Sequence, residues 1–174
     1  MKLLNTIKHY DISFFCWCMD LPFRPILARI SRQVSRSADG YYYAVVALLM
    51  YLAQAVVPTN LYSVMIAAFV VERLLYFVLK LGLKRDRPAS AISGFDSFIQ
   101  PADKFSFPSG HTSAAFLFAT FMSALYPALA PLLYFWAVIV GCSRLFLGVH
   151  FVTDVFMGAT IGILIGNYAI TFLG

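Results

Sequence analysis

Two of the three histidines, His111 and His150, and five of the 13 lysines and arginines, Lys80, Lys84, Arg85, Arg87 and Arg144, fall at or near the ends of long apolar runs. Arginine grips phosphate oxygens as a planar, bidentate donor, and lysine supplies a point charge. An imidazole beside such a cluster can attack phosphorus or move a proton, so these residue types together suit phosphoryl chemistry. They have an ordinary reading too. Lysines and arginines commonly sit at helix ends with their stems along lipid, and Lys84 and Arg85, lying most freely between runs, are expected to do that.

Spacing adds to the residue types. His150 and Asp154 are four apart, which on a helix places them on one face within hydrogen-bonding reach. A carboxylate that accepts one ring N–H fixes the tautomer and leaves the second nitrogen free to attack. A structural hydrogen bond is the alternative, although an ionisable pair at a membrane-embedded helix start is functional by default. Pro108-Ser109-Gly110-His111 reads as a helix start in which Ser109 caps the first turn and the remaining N–H groups make an anion site. Gly110 would let a phosphate approach the backbone. An ordinary Pro-Ser helix start would look the same.

The elements that must carry these residues are membrane helices. Only 12% of the 174 residues are charged and 61% are hydrophobic, where a soluble domain has roughly 25% charged. Tyr41 to Val71, Phe105 to Ser143 and Val155 to Gly174 contain no Asp, Glu, Lys or Arg. A spanning helix needs about 20 apolar residues, so the two longer runs are pairs of spans or hairpins. The chain is thus predicted to be all-α, a polytopic bundle of about five transmembrane helices. The spans run from about Tyr43 to Val57, Leu61 to Leu79, Ser109 to Tyr126, Pro131 to Leu147, and His150 to the C-terminus. Residues 1–40, with nine charges among aromatics and leucines, are expected to form an amphipathic segment of one or two interfacial helices. Residues 41–174 form the membrane-embedded domain.

This composition excludes a soluble globular enzyme, a disordered tail and a single-anchor protein. The net charge of +5 points to a membrane surface or anionic lipid rather than to nucleic acid. Cys16, Cys18 and Cys142 lack the spacing of a metal site, and no small-residue cleavage site follows the apolar patch at Ile12 to Met19, so no removable signal peptide is expected. Gly158, Gly162 and Gly166 recur every fourth residue and predict a close helix contact. Glu72 and Arg73, inside the second span, are expected to find partners within the bundle as a structural polar link. The connection from residue 80 to 107 is too long for an idle linker. Its Phe95, Phe98, Phe105 and Phe107 are either interfacial anchors, the favoured reading, or a lining for an arriving lipid.

Lys80 followed after six residues by Arg87-Pro88, then Pro108-Ser109-Gly110-His111, then Ser143-Arg144 with His150 and Asp154, together resemble the three-part signature of the type-2 phosphatidic acid phosphatase superfamily. The resemblance implies an all-helical hydrolase of phosphomonoesters or diphosphates that needs no metal and no cofactor. It implies that His150 becomes a phosphohistidine, oriented by Asp154. His111 would protonate the leaving alkoxide and then activate water, while Lys80, Arg87, Ser109, Gly110 and Arg144 would hold the phosphate. Membrane members commonly have six spans, one more than counted here. Soluble acid phosphatases and vanadium haloperoxidases share the signature, but this chain is too apolar for either.

The expected substrate is a membrane lipid phosphate: phosphatidic acid, phosphatidylglycerol phosphate, a polyprenyl phosphate or diphosphate, or lipid A phosphate. In a bacterial inner membrane, the five-span reading puts 12 of the 13 lysines and arginines on the side of the chemistry, which the positive-inside rule makes cytoplasmic. Phosphotransfer to another acceptor through the same intermediate, an anion carrier or channel, and an inactive scaffold are the rival functions.

Overall fold

In this computed structural model, which describes residues 2–53 and 57–173 with side chains from Thr6 onward, the described residues form helices and no strands. The helices are α1 (Lys2–Met19), α2 (Arg24–Arg36), α3 (Gly40–Leu52), α4 (Leu61–Leu83), the short α5 (Pro88–Ala91), α6 (Gly110–Leu125), α7 (Ala130–Phe146) and α8 (Val152–Ile170), with a 3₁₀ turn at Pro127–Leu129 before α7. The expected boundaries fall within a few residues of these, except that α3 ends at Leu52 where the first span is expected to reach Val57, α4 continues to Leu83, and His150 lies ahead of α8. Residues 54–56 of that first span lie outside the described residues.

At the centre stands α6, buried continuously from Thr112 to Met122. Its sequence is apolar or small on every side, the pattern of a helix enclosed by others. It packs against α8, α7 and α4, with Ala115, Leu117, Ala119 and Phe121 wholly enclosed. The α6–α8 seam is the tightest, and the glycine row explains it. A Cβ on Gly158 would stand 2.6 Å from the Ser109 carbonyl oxygen, one on Gly162 2.8 Å from the Leu117 nitrogen, and one on Gly166 2.8 Å from Thr120 Cβ. No side chain fits there, so the backbones meet directly.

Burial in this bundle is inverted relative to a water-soluble protein. Leu74, Val78 and Leu81 of α4, Leu132 and Phe135 of α7, and Phe156, Leu164 and Tyr168 of α8 face outward, while Glu72, Lys80, Arg87, Arg144, His150 and Asp154 are buried. Leucines outside and ionisable groups inside is the distribution that lipid imposes. Two stretches among the described residues, Pro127–Phe146 and Val152–Ile170, are long and apolar enough to cross a membrane by themselves.

The N-terminal helices lie against one end of this bundle. Asp11, midway along α1, bonds to Thr153, and one to two turns later Phe15, Cys18 and Met19 pack on Phe151. α2 lays Ala28, Ser31 and Ser35 inward and packs on α7.

Candidate active site

The same end of the bundle gathers every residue nominated from the sequence. Three segments are tied together there through backbone groups. Ser109, the residue before α6, donates its N–H to the Asp154 carbonyl at 3.0 Å, and Arg87 Nη1 donates to the Val149 carbonyl at 2.6 Å. The turn from α7 to His150 depends on Gly148, whose φ of +74° suits glycine and whose missing Cβ leaves room for Phe95. Ser97 Oγ also donates to the Gly148 carbonyl, at 2.9 Å.

His150 is buried just before α8, with Nδ1 3.6 Å from Asp154 Oδ2. That is beyond hydrogen-bond length, and Nδ1 has no other partner, so the predicted bond is an ion–dipole approach instead. The reason lies in the second task of Asp154, which stands at the third position of α8. Its Oδ2 accepts the Phe151 N–H at 2.8 Å and so caps its own helix. Its Oδ1 accepts from Arg85 Nη1 at 2.8 Å. Burial pushes the His150 imidazole down to about 4, against the pull of the Asp154 carboxylate. A neutral ring results, the form in which an imidazole can act as a nucleophile.

The cations are not arranged as free helix-end charges. Lys80 Nζ donates to Tyr76 Oη at 2.5 Å and to Asp103 Oδ1 at 2.8 Å. Arg87 reaches the same Oδ1 through Nη2 at 2.6 Å and the Asp103 carbonyl through Nε at 3.0 Å. Asp103 Oδ2 accepts from Tyr76 Oη at 2.5 Å. Burial raises the Asp103 carboxyl, but the bonds from Lys80, Tyr76 and Arg87 outweigh it and hold the group down at about 2. A carboxylate therefore occupies the seat that Lys80 and Arg87 form. Arg144, also buried, donates through Nη1 to Ser35 Oγ at 2.5 Å, while its Nε has no partner.

Two expectations are corrected. Ser109 makes no side-chain cap; its Oγ pairs with Thr112 Oγ1 at 2.8 Å. Gly110 lines the cavity, and the position of its missing Cβ lies 2.8 Å from Tyr76 and against the Arg73 guanidinium, so a helix contact also requires glycine there. Arg85 is not loose: besides Asp154 it pairs with Asp11 Oδ2 at 2.6 Å and Thr153 Oγ1 at 2.5 Å, and it lies over the Phe151 ring. Glu72 and Arg73 form the expected polar link. Arg73 holds Glu72 through two bonds of 2.6 and 2.7 Å and donates to the Gly110 carbonyl at 3.2 Å, while Ser113 bonds Glu72. This fastens α4 to the first turn of α6, where His111 sits.

His111 has a partner that the sequence reading did not nominate: its Nε2 lies 3.1 Å from Asp39 Oδ1. Asp11, Asp39, Tyr76 and Asp103 all escaped nomination. Of these, Tyr76 alone carried a local signal, lying four residues before Lys80 on one helical face.

His111, His150, Arg87, Arg144, Asp39 and Asp103 line the inner part of a cavity of about 1430 Å³. From there it extends along α3 and α4 past Phe69, Ile66, Tyr62 and Ala47. Phe98 lines the cavity, with Arg24 stacked on its ring and on that of Phe95. Phe98 therefore belongs to the site wall rather than acting as an outward anchor, while Phe95 packs inward on Phe15. A polar floor bearing two imidazoles and buried guanidinium groups, opening into an apolar trough, can hold a charged head group with a hydrocarbon tail.

Residues 46–174 match the PAP2 superfamily, and the chain belongs to that family. It is 40% identical over 112 residues to phosphatidylglycerophosphatase B of Bacillus subtilis, covering 58% of this chain and 52% of that protein. Over 67 residues it is 34% identical to the lipid A 4'-phosphatase of Porphyromonas gingivalis, covering 37% of this chain and 28% of that one. The chain thus matches about half the length, or less, of these curated relatives. Among solved structures, Aquifex aeolicus LpxE superposes with a TM-score of 0.80 at 27% identity, covering 92% of this chain and 94% of that one. A transmembrane PAP2-type phosphatidylglycerolphosphate phosphatase from Bacillus subtilis gives 0.74 at 25% identity, covering 97% and 86%.

Proposed function

We propose that this chain is an integral-membrane lipid phosphatase acting through a phosphohistidine. The observation that carries the reading is the neutral, buried His150 at the polar end of a cavity whose remaining length is apolar. His150 Nε2 attacks phosphorus, with Asp154 behind the ring balancing the positive charge that develops. The phosphorus–oxygen bond to the lipid breaks, and His111 delivers a proton to the departing oxygen. Water then gives its proton to His111 and its oxygen to phosphorus, releasing phosphate and His150. Lys80, Arg87 and Arg144 hold the phosphate oxygens, so fixed cations supply the charge stabilisation that phosphoryl transfer needs. A phosphate on Lys80 and Arg87 takes over donors that now serve Asp103, and Arg144 Nε has a donor to spare.

Phosphatidylglycerol phosphate is the first candidate substrate, because the 40% identical relative carries that activity in its name. Lipid A phosphate follows, with phosphatidic acid and polyprenyl phosphates or diphosphates in the same chemical class. In this reading α3, α4, α6, α7 and α8 span a bacterial inner membrane, while α1 and α2 lie in the interface over the site. Lys8 and the four arginines of α2 then flank the site, and the charge asymmetry makes that side cytoplasmic. Single cysteines at Ser90 and Thr59 in a cysteine-free background test it: labelling of position 90 from outside whole cells would reverse the orientation.

Phosphate release from these lipids by the purified protein in EDTA, beside His150→Ala, tests the activity. Release by the native protein alone supports metal-independent histidine chemistry. No release from any lipid would shift weight to phosphotransfer or to a carrier, and release surviving in His150→Ala would overturn the mechanism.

A further inference from the structure

Aspartate is among the best residues for a helix N-cap, because its carboxylate accepts an otherwise unpaired N–H of the first turn. Asp39 holds the N-cap of α3 with φ −68° and ψ 142°, yet it makes no such bond. Its Oδ1 lies 3.1 Å from His111 Nε2 instead. The two are 72 residues apart in sequence, and each side chain keeps about a third of its surface open, 35% and 37%. Both line the cavity that holds His150 and Arg144. A carboxylate that forgoes the cap it is placed to make and turns to an imidazole in the site breaks a local rule, and such breaks concentrate at functional sites.

The turn around Asp39 is held from several sides. Its N–H donates to the Arg36 carbonyl and its carbonyl accepts from the Tyr42 N–H, both at 3.0 Å. Ser35 accepts from Arg144, Trp136 Nε1 donates to Ser37 Oγ at 2.9 Å, and Ala38 is buried. Residues 35–39 are thereby fastened to α7, with the carboxylate pointing at the first turn of α6. All of them precede residue 46, where the family match begins.

We infer that Asp39 is the positioning residue for His111, supplied by the N-terminal segment to complete the site. It accepts the N–H of Nε2, fixes the ring and its tautomer, and leaves Nδ1 as the atom that carries the transferred proton. As the phosphorus–oxygen bond breaks, the Nδ1 proton passes to the leaving oxygen while the Nε2 proton stays on Asp39's hydrogen bond. When water attacks, Nδ1 takes up its proton and the bond from phosphorus to His150 opens. This inference rests on the acid–base role proposed for His111.

The test compares native protein, Asp39→Asn, Asp39→Glu and His111→Ala on phosphatidylglycerol phosphate, whose alkoxide must be protonated to leave, and on p-nitrophenyl phosphate, whose phenolate leaves unaided. The ratio kcat/KM reports the barrier up to departure of the leaving group. Asp39→Asn is expected to lower it about 10- to 100-fold on the lipid, a fraction of a full acid–base contribution, with a loss under about threefold on the aryl ester. Asp39→Glu restores most of the lipid activity. In a His111→Ala background Asp39→Asn adds little, because the two act as one unit. Equal losses on both esters, a fully additive loss in that background, or no loss at all would overturn the inference while His111→Ala still discriminates between the esters. If His111→Ala itself loses equally on both, the acid role falls, and the inference with it.

Discussion

The two histidines live in different surroundings. His150 is nearly sealed, and its carboxylate, Asp154, follows four residues later, wholly buried at the start of the next helix. His111 is a third open to the cavity, and its carboxylate comes from a separate segment 72 residues away. One pair is built by a single turn of chain, the other by docking α2 and α3 against α6 and α7. The closed pair suits a nucleophile that must stay neutral and in place. The open pair suits a group that must meet a lipid oxygen and then a water.

The largest effect separating the pairs is expected from Asp154→Asn. An amide there keeps the size of the side chain and removes the charge that offsets a developing imidazolium. The expected loss in kcat/KM is about 10³- to 10⁴-fold, the scale known for the carboxylate of a histidine-based triad. It should be equal on alkyl and aryl phosphates, because attack at phosphorus is needed for both. A loss that grew with the difficulty of the leaving group would erase the distinction between the two histidines.

Arg85 comes next. It links Asp154 to Asp11 of α1, so Arg85→Gln should weaken the closed pair from behind by about 10- to 100-fold, the scale on which groups supporting a reacting side chain act. Asp11→Asn should produce a smaller loss in the same direction, since Arg85 keeps its bond to Asp154. A wild-type kcat/KM in Arg85→Gln would show that Asp154 needs no such support.

What the sequence disclosed follows the same division. The closed pair, the helix start at Ser109 and the glycine row on α8 are local patterns, with partners within four residues or on one face, and the structure brings them together. The partners of Asp11, Asp39 and Asp103 are not local. Asp103 meets Lys80 across 23 residues, and Asp11 meets Thr153 across 142. No spacing rule links such residues before the helices are placed. Arg85 misled for a related reason: an arginine just past a helix end reads as solvated until α1 is seen to bring Asp11 beside it.

The seam between α6 and α8 offers a smaller effect, because it joins the segments of both pairs without touching either imidazole. A methyl group on Gly162 would meet the Leu117 nitrogen at 2.8 Å and Phe116 Cβ at 3.0 Å. Gly162→Ala should cost about 1–3 kcal/mol by forcing the helices apart, read as a lower unfolding temperature in detergent. Activity below that temperature should fall only a few-fold and on both esters alike. Selective loss on the alkyl ester would mean that the seam sets His111 more than His150.

At neutral pH the smallest effect is a displacement of the acid limb rather than a loss. In the proposed mechanism His150 must be unprotonated to attack. Burial takes its imidazole from the ordinary 6.5 to about 4, so the acid limb of kcat/KM, which reports the free enzyme's essential base, should fall near pH 4 instead of 6.5. Asp103, held at about 2, remains ionised through that range and leaves the limb to His150. The Asp154 carboxylate favours the imidazolium and so holds the His150 value up against burial. In Asp154→Asn the residual activity should therefore have its acid limb at still lower pH. A limb near 6.5 in the native protein would mean that water reaches His150 in the working enzyme, and the contrast between a closed and an open histidine would then belong to the resting state alone.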